Sequence, residues 1–204
     1  MADTHVGETL PDLPASVPAA LEGCDLILHA GDITCMSVLD RLGQIAPVVA
    51  VQGDHDRLAG IDLPRERVVV VRGRRIGLVH GRRSRAIETP AAALSLARRR
   101  AVLLGLHRYM RRRLGPVDMI VHGHLHMPVE TAVRGTRVFS PGAVCPWGSL
   151  QGGRLPRPGA AGVADRVVRR YRQQLGDAAM RSSVGRLVTG PLGVHAEVVP
   201  LDDA

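Results

Sequence analysis

Short apolar runs, rich in β-branched residues and closed by glycine or an acidic residue, recur along the chain. Leu26–His29, Pro47–Val51, Val68–Val71 and Ile76–His80 have the length and Val/Ile content of buried strands. Met119–His122, Val129–Val133 and Arg137–Ser140 continue the series. Ser183–Thr189 and Val194–Pro200, separated by Gly-Pro-Leu-Gly, predict a closing strand pair. Helices are predicted between them at Ser16–Leu21, Ser37–Ile45 and Ala91–Leu114. The last of these has Thr89 as N-cap, Pro90 at its first position and Gly115-Pro116 as its stop. Within it Arg98–Arg100, Arg108 and Arg111–Arg113 alternate with Leu94, Leu103, Leu104, Leu106 and Leu114, the pattern of an amphipathic helix packed on a sheet with its arginines in water. Gln151–Gly162, rich in Gly and Pro, reads as a loop, and a basic helix is expected over Val163–Met180. The β-α alternation with a strand-rich end predicts a layered α/β fold. The expected organisation is a single domain over residues 1–204 with a helical and loop insertion at 151–181.

Polar residues of one chemical kind fall where the strands should end. They are Asp3-Thr-His5, Gly31-Asp32, Gly53-Asp54-His55-Asp56, His80-Gly81 and Gly123-His124-Leu-His126. Taken singly, each has an ordinary explanation. A lone aspartate after a strand is commonly a turn or helix cap, and His80 could be a packed core histidine. His29 reads equally well as a support for a ligand loop or as a packed strand residue. His107, His122 and His195 read as structural. Taken together, five clusters at strand ends, where α/β folds place ligands, supply enough carboxylates and imidazoles for two divalent metal ions. Two ions about 3.5–4 Å apart are a device for hydrolysing phosphate esters.

In order and spacing the series resembles the calcineurin-like metallophosphoesterase superfamily, whose pattern is D-x-H, GD, GNH[DE], H and GHxH. Within it the chain is similar to the small single-domain phosphodiesterases of bacteria and archaea. The supporting segments are Leu-Ile-Leu-His-Ala-Gly-Asp-Ile, Val-Ala-Val-Gln-Gly-Asp, Gly-Leu-Val-His-Gly and Ser140-Pro-Gly, where the family commonly has Asn-Pro-Gly. The likeness runs from Ala2 to about Val144 and resumes in the last strands. It implies a two-sheet β-sandwich flanked by helices, in four αββα layers. It also implies that Asp3, His5, Asp32 and His126 hold one metal, and that Asp32, Asp54, His80 and His124 hold the other, with Asp32 bridging. A hydroxide shared by the metals would attack phosphorus, and His55 would protonate the leaving group. Manganese is the first expectation for the metal pair, with nickel, iron, cobalt and zinc as alternatives. The implied substrate is a small phosphate ester, most simply a diester. A protein-binding scaffold of the same fold is the rival from another class. The retromer subunit of this superfamily is such a scaffold, and it lacks the histidine that His55 matches here.

Two positions depart from the family pattern. Asp54 stands where the family has Asn. Two divalent ions against Asp3, Asp32, Asp54 and a hydroxide make a formally neutral centre, whereas Asn would leave it positive. Arg57, Arg82 and Arg83 follow the third and fourth motifs closely and could restore positive potential or simply face solvent. The family's D-x-H also follows a buried strand, while only Met1-Ala2 precede Asp3 here. The expectation is that the first strand is missing and that the reading frame continues upstream for roughly five to eight mostly apolar residues, an ordinary strand length.

Composition narrows the setting. The net charge is +8 and every basic residue is arginine, which points to a coding bias as much as to a function. A positive surface suits phosphorylated substrates and could attract nucleic acid. Nucleic acid, including a nuclease role for the same centre, is not favoured as the main partner, because Tyr109, Phe139, Trp147 and Tyr171 are too few for a stacking platform. No apolar run approaches the roughly 20 residues that span a bilayer. No basic n-region with an apolar h-region opens the chain, and Cys24, Cys35 and Cys145 lack metal-site spacing, so reduced thiols in the cytoplasm are expected.

Overall fold

The computed structural model describes residues 1–98, 102–146 and 181–201. The loop and basic helix expected between Gln151 and Met180 lie outside the described residues. The elements run α1 (Ser16–Leu21), β1 (Ile27–His29), α2 (Met36–Gly43), β2 (Val48–Ala50), α3 (Asp54–Leu58), β3 (Glu66–Val71), β4 (Arg74–Val79), α4 (Arg85–Arg98), α5 (Leu106–Leu114), β5 (Met119–His122), β6 (Pro128–Val133), β7 (Thr136–Pro141), β8 (Ser183–Gly190) and β9 (Gly193–Pro200).

One mixed sheet has the order β3-β4-β5-β7-β6. Its central β4-β5 and β5-β7 pairs are parallel, and the outer β3-β4 and β6-β7 pairs are antiparallel hairpins. Both hairpins turn on an Arg-Gly pair with positive φ, 47° and 76° at Arg72-Gly73 and 48° and 78° at Arg134-Gly135, the geometry that matches strand twist in a two-residue loop.

A second line of strands faces this sheet. β2 pairs in parallel with β1, and β1 bonds in turn to the first residues of the chain. The Met1 amino group donates to Leu28 O (2.7 Å), Ala30 N–H to Met1 O (2.9 Å) and Asp3 N–H to Gly31 O (2.9 Å). On the other side Val144 N–H donates to Ala2 O and Cys145 N–H to Asp3 O. Ser183 N–H then reaches Ala143 O and joins the β8-β9 pair to the line. Met1–Asp3 therefore lies between β1 and the Ala143–Cys145 segment, hydrogen-bonded on both sides. Beside it lies a cavity of about 320 Å³ between Leu26–Leu28 and Gly185–Thr189, floored by Ile76, Val121 and Phe139.

The layers follow from strand alternation, which sends neighbouring side chains to opposite faces. Leu28 points inward with Ala2, Ile76, Leu78, Met119, Val121 and Phe139 to form the core between the sheets. Ile27 points outward and packs under Val17 and Leu21 of α1 and Val38 and Leu42 of α2. On the opposite face, Leu106, Met110 and Leu114 of α5 cover Val79, Ile120 and Val138. The result is the four-layer αββα sandwich.

The helix expected over Ala91–Leu114 is two helices. Leucine periodicity continues through the break, but Leu104 and Gly105 have φ of 39° and 74°, which no α-helix accommodates. α4 also begins at Arg85, ahead of the expected Thr89 cap, and carries Pro90 in its second turn. Asp54-His55-Asp56 opens the short helix α3.

That helix fixes the geometry of the polar edge. The buried Asp56 carboxylate accepts N–H groups from Asp32 (2.9 Å), Ile33 (2.7 Å), Thr34 (2.8 Å) and Gly53 (2.8 Å). It ties the loop after β1 to the loop after β2. Gly53 is required by closeness, because a Cβ there would lie 2.1 Å from Asp32 Oδ1. Asn at position 56 would aim its NH₂ at two of the four donors and leave them buried without partners. Asp56→Asn is therefore expected to lower unfolding stability by about 2–5 kcal/mol, read by urea denaturation. A change under about 0.5 kcal/mol, the size of a neutral surface substitution, would show that the loops hold without it.

Candidate metal centre

Each of the five polar clusters leaves a strand or chain segment at the same edge, and their donor atoms converge. Asp3, His5, Asp32 and His126 form one group and Asp54, His80 and His124 another, with the donor atoms of each group within 4.8 Å of one another. Asp32 stands between them, with Oδ2 3.6 Å from His5 Nε2 and 3.3 Å from His80 Nε2. In the first group His126 Nε2 lies 3.3 Å from His5 Nε2 and 3.5 Å from Asp3 Oδ1. In the second, Asp54 Oδ1 lies 3.1 Å from His80 Nε2 and 3.7 Å from His124 Nδ1. His55 sits at the rim, its Nε2 3.8 Å from Asp54 Oδ2 and its backbone N–H donating to Asp32 Oδ1 (2.9 Å). All eight residues singled out in the sequence are thus brought together.

The backbone at this edge is unusual. Asp3, His5, Asp32, His124 and His126 have φ between 49° and 70°, a left-handed region that non-glycine residues enter uncommonly, Asp and His more often than most. Non-glycine residues held there by their surroundings cluster at functional sites. The imidazoles are also oriented from behind. His80 Nδ1 donates to Ala30 O (2.8 Å) and His126 Nδ1 to Cys145 O (2.9 Å), and since a carbonyl only accepts, each ring keeps Nε2 for the cluster.

Charge supports the same picture. Burial pushes His124 down to about 3, and it lowers His5 and, more strongly, His126, so these rings are neutral as ligands must be. Burial pushes the Asp3 carboxyl up to about 8. Burial opposes the charge on Asp32 too, but His80 and His5 outweigh it and hold that carboxyl well below the usual range. At His80 burial acts downward and is outweighed by Asp32 and Asp3, which raise the ring to about 9. Protons on Asp3 and His80 stand where the cluster calls for positive charge. A buried set of oxygen and imidazole donors with this deficit fits divalent ions.

Glu8 escaped the sequence reading. The turn after His5 folds back, with the N–H groups of Thr9 and Leu10 donating to His5 O, and it brings Glu8 over the rim. Glu8 Oε2 lies 2.7 Å from His55 Nδ1 and 3.2 Å from His5 Nδ1. Burial pushes its carboxyl up, but the two rings outweigh this and hold it below its ordinary value. The available signal was a glutamate three residues after a candidate ligand, His5, and directly after Gly7.

Other positions resolve as well. Arg82 donates to Asp54 Oδ2, so a guanidinium offsets the charge of the aspartate that replaces the family Asn. Arg83 instead donates to Glu88 and Leu104 O and braces α4. His29 lies beneath the loops, 3.3 Å from Thr4 Oγ1 and from the Gly31 N–H. His107 and His122 pack against each other, with ring centroids 5.7 Å apart.

Among the described residues no helix is long and apolar enough to cross a membrane. A probable metallophosphoesterase of Methanothermobacter thermautotrophicus is 32% identical over 143 residues, 70% of this chain and 74% of the relative. A probable metallophosphoesterase of Methanocaldococcus jannaschii is also 32% identical over 143 residues, which cover 70% of this chain and 65% of that protein. In fold, vacuolar protein sorting 29 of Entamoeba histolytica in complex with zinc aligns with a TM-score of 0.59 at 20% identity, over 98% of this chain and 97% of its own. An archaeal phosphodiesterase aligns at 0.53 and 18% identity, over 98% of this chain and 97% of its own. The family profile of the calcineurin-like phosphoesterase superfamily domain matches residues 1–155, and the chain belongs to that superfamily.

Proposed function

We propose that the protein is a dimetal phosphodiesterase acting on small phosphate esters. The observation that carries this reading is Asp32, whose carboxylate stands between two groups of donors while His55 waits beside both. Asp3, His5, Asp32 and His126 would hold one divalent ion and Asp32, Asp54, His80 and His124 the other. Manganese is the first choice for a mixed oxygen and imidazole donor set, and nickel, iron, cobalt or zinc would also fit. Bound there, the ions activate water and neutralise charge on the phosphoryl oxygens.

The chain's own residues supply the rest. Asp56 and Gly53 keep Asp32 in place. Glu8 can accept a hydrogen bond from His55 Nδ1–H, which fixes the ring and leaves Nε2 facing the centre. When water oxygen bonds to phosphorus and the P–O bond to the leaving group breaks, the departing oxygen takes a proton from His55. The presence of this oriented histidine favours an enzyme over a protein-binding scaffold. Hydrolysis of a chromogenic diester with and without manganese tests the reading, with Asp32→Asn as the control. Turnover should vanish in that variant and metal content should fall in both groups, whereas two retained metals with substantial activity would refute the bridging role.

The leaving group separates the acid from the centre. Acid catalysis matters for alkoxides and little for nitrophenolate, so His55→Ala should lose about 10²–10⁴-fold on alkyl esters and far less on nitrophenyl esters. Glu8→Ala should lose activity with the same selectivity. Equal losses on both substrates would exclude the acid role.

Asp54 and Arg82 test the charge balance. Asp54→Asn releases the guanidinium and makes the centre more positive, so turnover of dianionic monoesters should rise relative to diesters. The pH optimum should move down, because added positive charge favours deprotonation of bound water. An unchanged ratio together with an unmoved profile would contradict this.

A further inference from the structure

Beyond the second donor group lies a cavity of about 490 Å³ whose wall includes Asp54 and His80, so it opens onto the candidate centre. Six of its sixteen lining residues are arginine, against 27 of 204 in the whole sequence. The chain's general preference for arginine does not account for that enrichment. Three of the six are engaged: Arg82 with Asp54, Arg83 with Glu88 and Arg113 with Glu66. The acids in the wall, Asp54 and Glu66, are consumed by these pairs. Arg57, Arg65 and Arg85 have no carboxylate partner among the described residues, and they converge from α3, from the segment before β3 and from the start of α4. Three cations without carboxylate partners among the described residues, drawn from three segments, thus line one concave space, and a cleft lined by one sign of charge concentrates field lines on an anion.

Guanidinium groups match phosphate oxygens with paired N–H donors. The cavity has the size of a small-molecule site and not of a groove for a duplex. We propose that it binds a second phosphate of the substrate. The substrate class is then a small polyphosphorylated ester, with the scissile phosphoryl at the donor cluster and a further phosphoryl or pyrophosphoryl group among Arg57, Arg65 and Arg85. This rests on the phosphoesterase reading and narrows it.

Tripolyphosphate and orthophosphate serve as probes on the metal-loaded protein, with free divalent ion held constant. Tripolyphosphate should inhibit hydrolysis of the chromogenic diester at least about tenfold more tightly than orthophosphate, the equivalent of one further charge-assisted contact. The exposed pair Arg65→Gln/Arg85→Gln should lose that advantage while diester turnover stays within about twofold, since neither side chain touches the reacting atoms. The Arg65→Lys/Arg85→Lys pair should keep part of it. Calorimetric binding of tripolyphosphate to the same proteins needs no turnover. It therefore reads the cavity even where diester hydrolysis, and with it the enzymatic reading, fails. Equal affinity for the two anions, an unchanged advantage in the Gln pair, or tighter competition by a single-stranded oligonucleotide than by tripolyphosphate would overturn the proposal.

Discussion

Everything at the polar edge depends on one carboxylate that takes no part in the candidate chemistry. Asp56 gathers N–H groups from Asp32, Ile33, Thr34 and Gly53, and so locks the loop after β1 against the loop after β2. Two aspartates and a histidine hang from those loops. Asp32 could not stand between the donor groups if its loop were free to shift, and His55 reaches its place because its own N–H donates to Asp32 Oδ1. The absence of a side chain at Gly53 lets the two backbones come this close.

The centre is also a problem of charge in a confined space. Asp3 and His80 are driven toward their protonated forms, Asp3 by burial and His80 by the carboxylates around it. Those protons substitute for positive charge. A cation entering the cluster would displace them, so loading should be coupled to proton release and weaken in acid. Arg82 contributes from outside by pairing with Asp54, which explains how an extra carboxylate can be accommodated where the family has a neutral amide.

The strands and the donors were legible in the sequence for a common reason. Apart from Asp3 and His5, which only Met1-Ala2 precede, the polar clusters close apolar runs, so one pattern locates both the buried strand and the residues delivered at its end. Asp56 and Glu8 were not legible as supports, because an acid in a turn looks the same whether it faces water or gathers N–H groups from a distant loop. The break between α4 and α5 was hidden because the leucine spacing is unbroken while the backbone at Leu104-Gly105 reverses hand. The hydrogen bonding of the first residues was hidden for a related reason. Hydrophobic content cannot show that Met1–Asp3, though short, is bonded on both sides.

The left-handed backbone at the candidate centre carries a consequence for how such a cluster persists. Asp3, His5, Asp32, His124 and His126 hold conformations that glycine, and to a lesser degree asparagine, adopt more readily. Exchange of a donor histidine for either residue removes chemistry and relaxes the backbone at once. The sandwich itself rests on Phe139, Ile76, Leu78 and their neighbours, none of which is a donor. Mutational drift under selection for folding alone would therefore run downhill, away from hydrolysis and toward a quieter protein of the same shape. At these five positions side-chain chemistry and backbone preference therefore pull in opposite directions, and folding alone gives no reason to keep an imidazole or a carboxylate there.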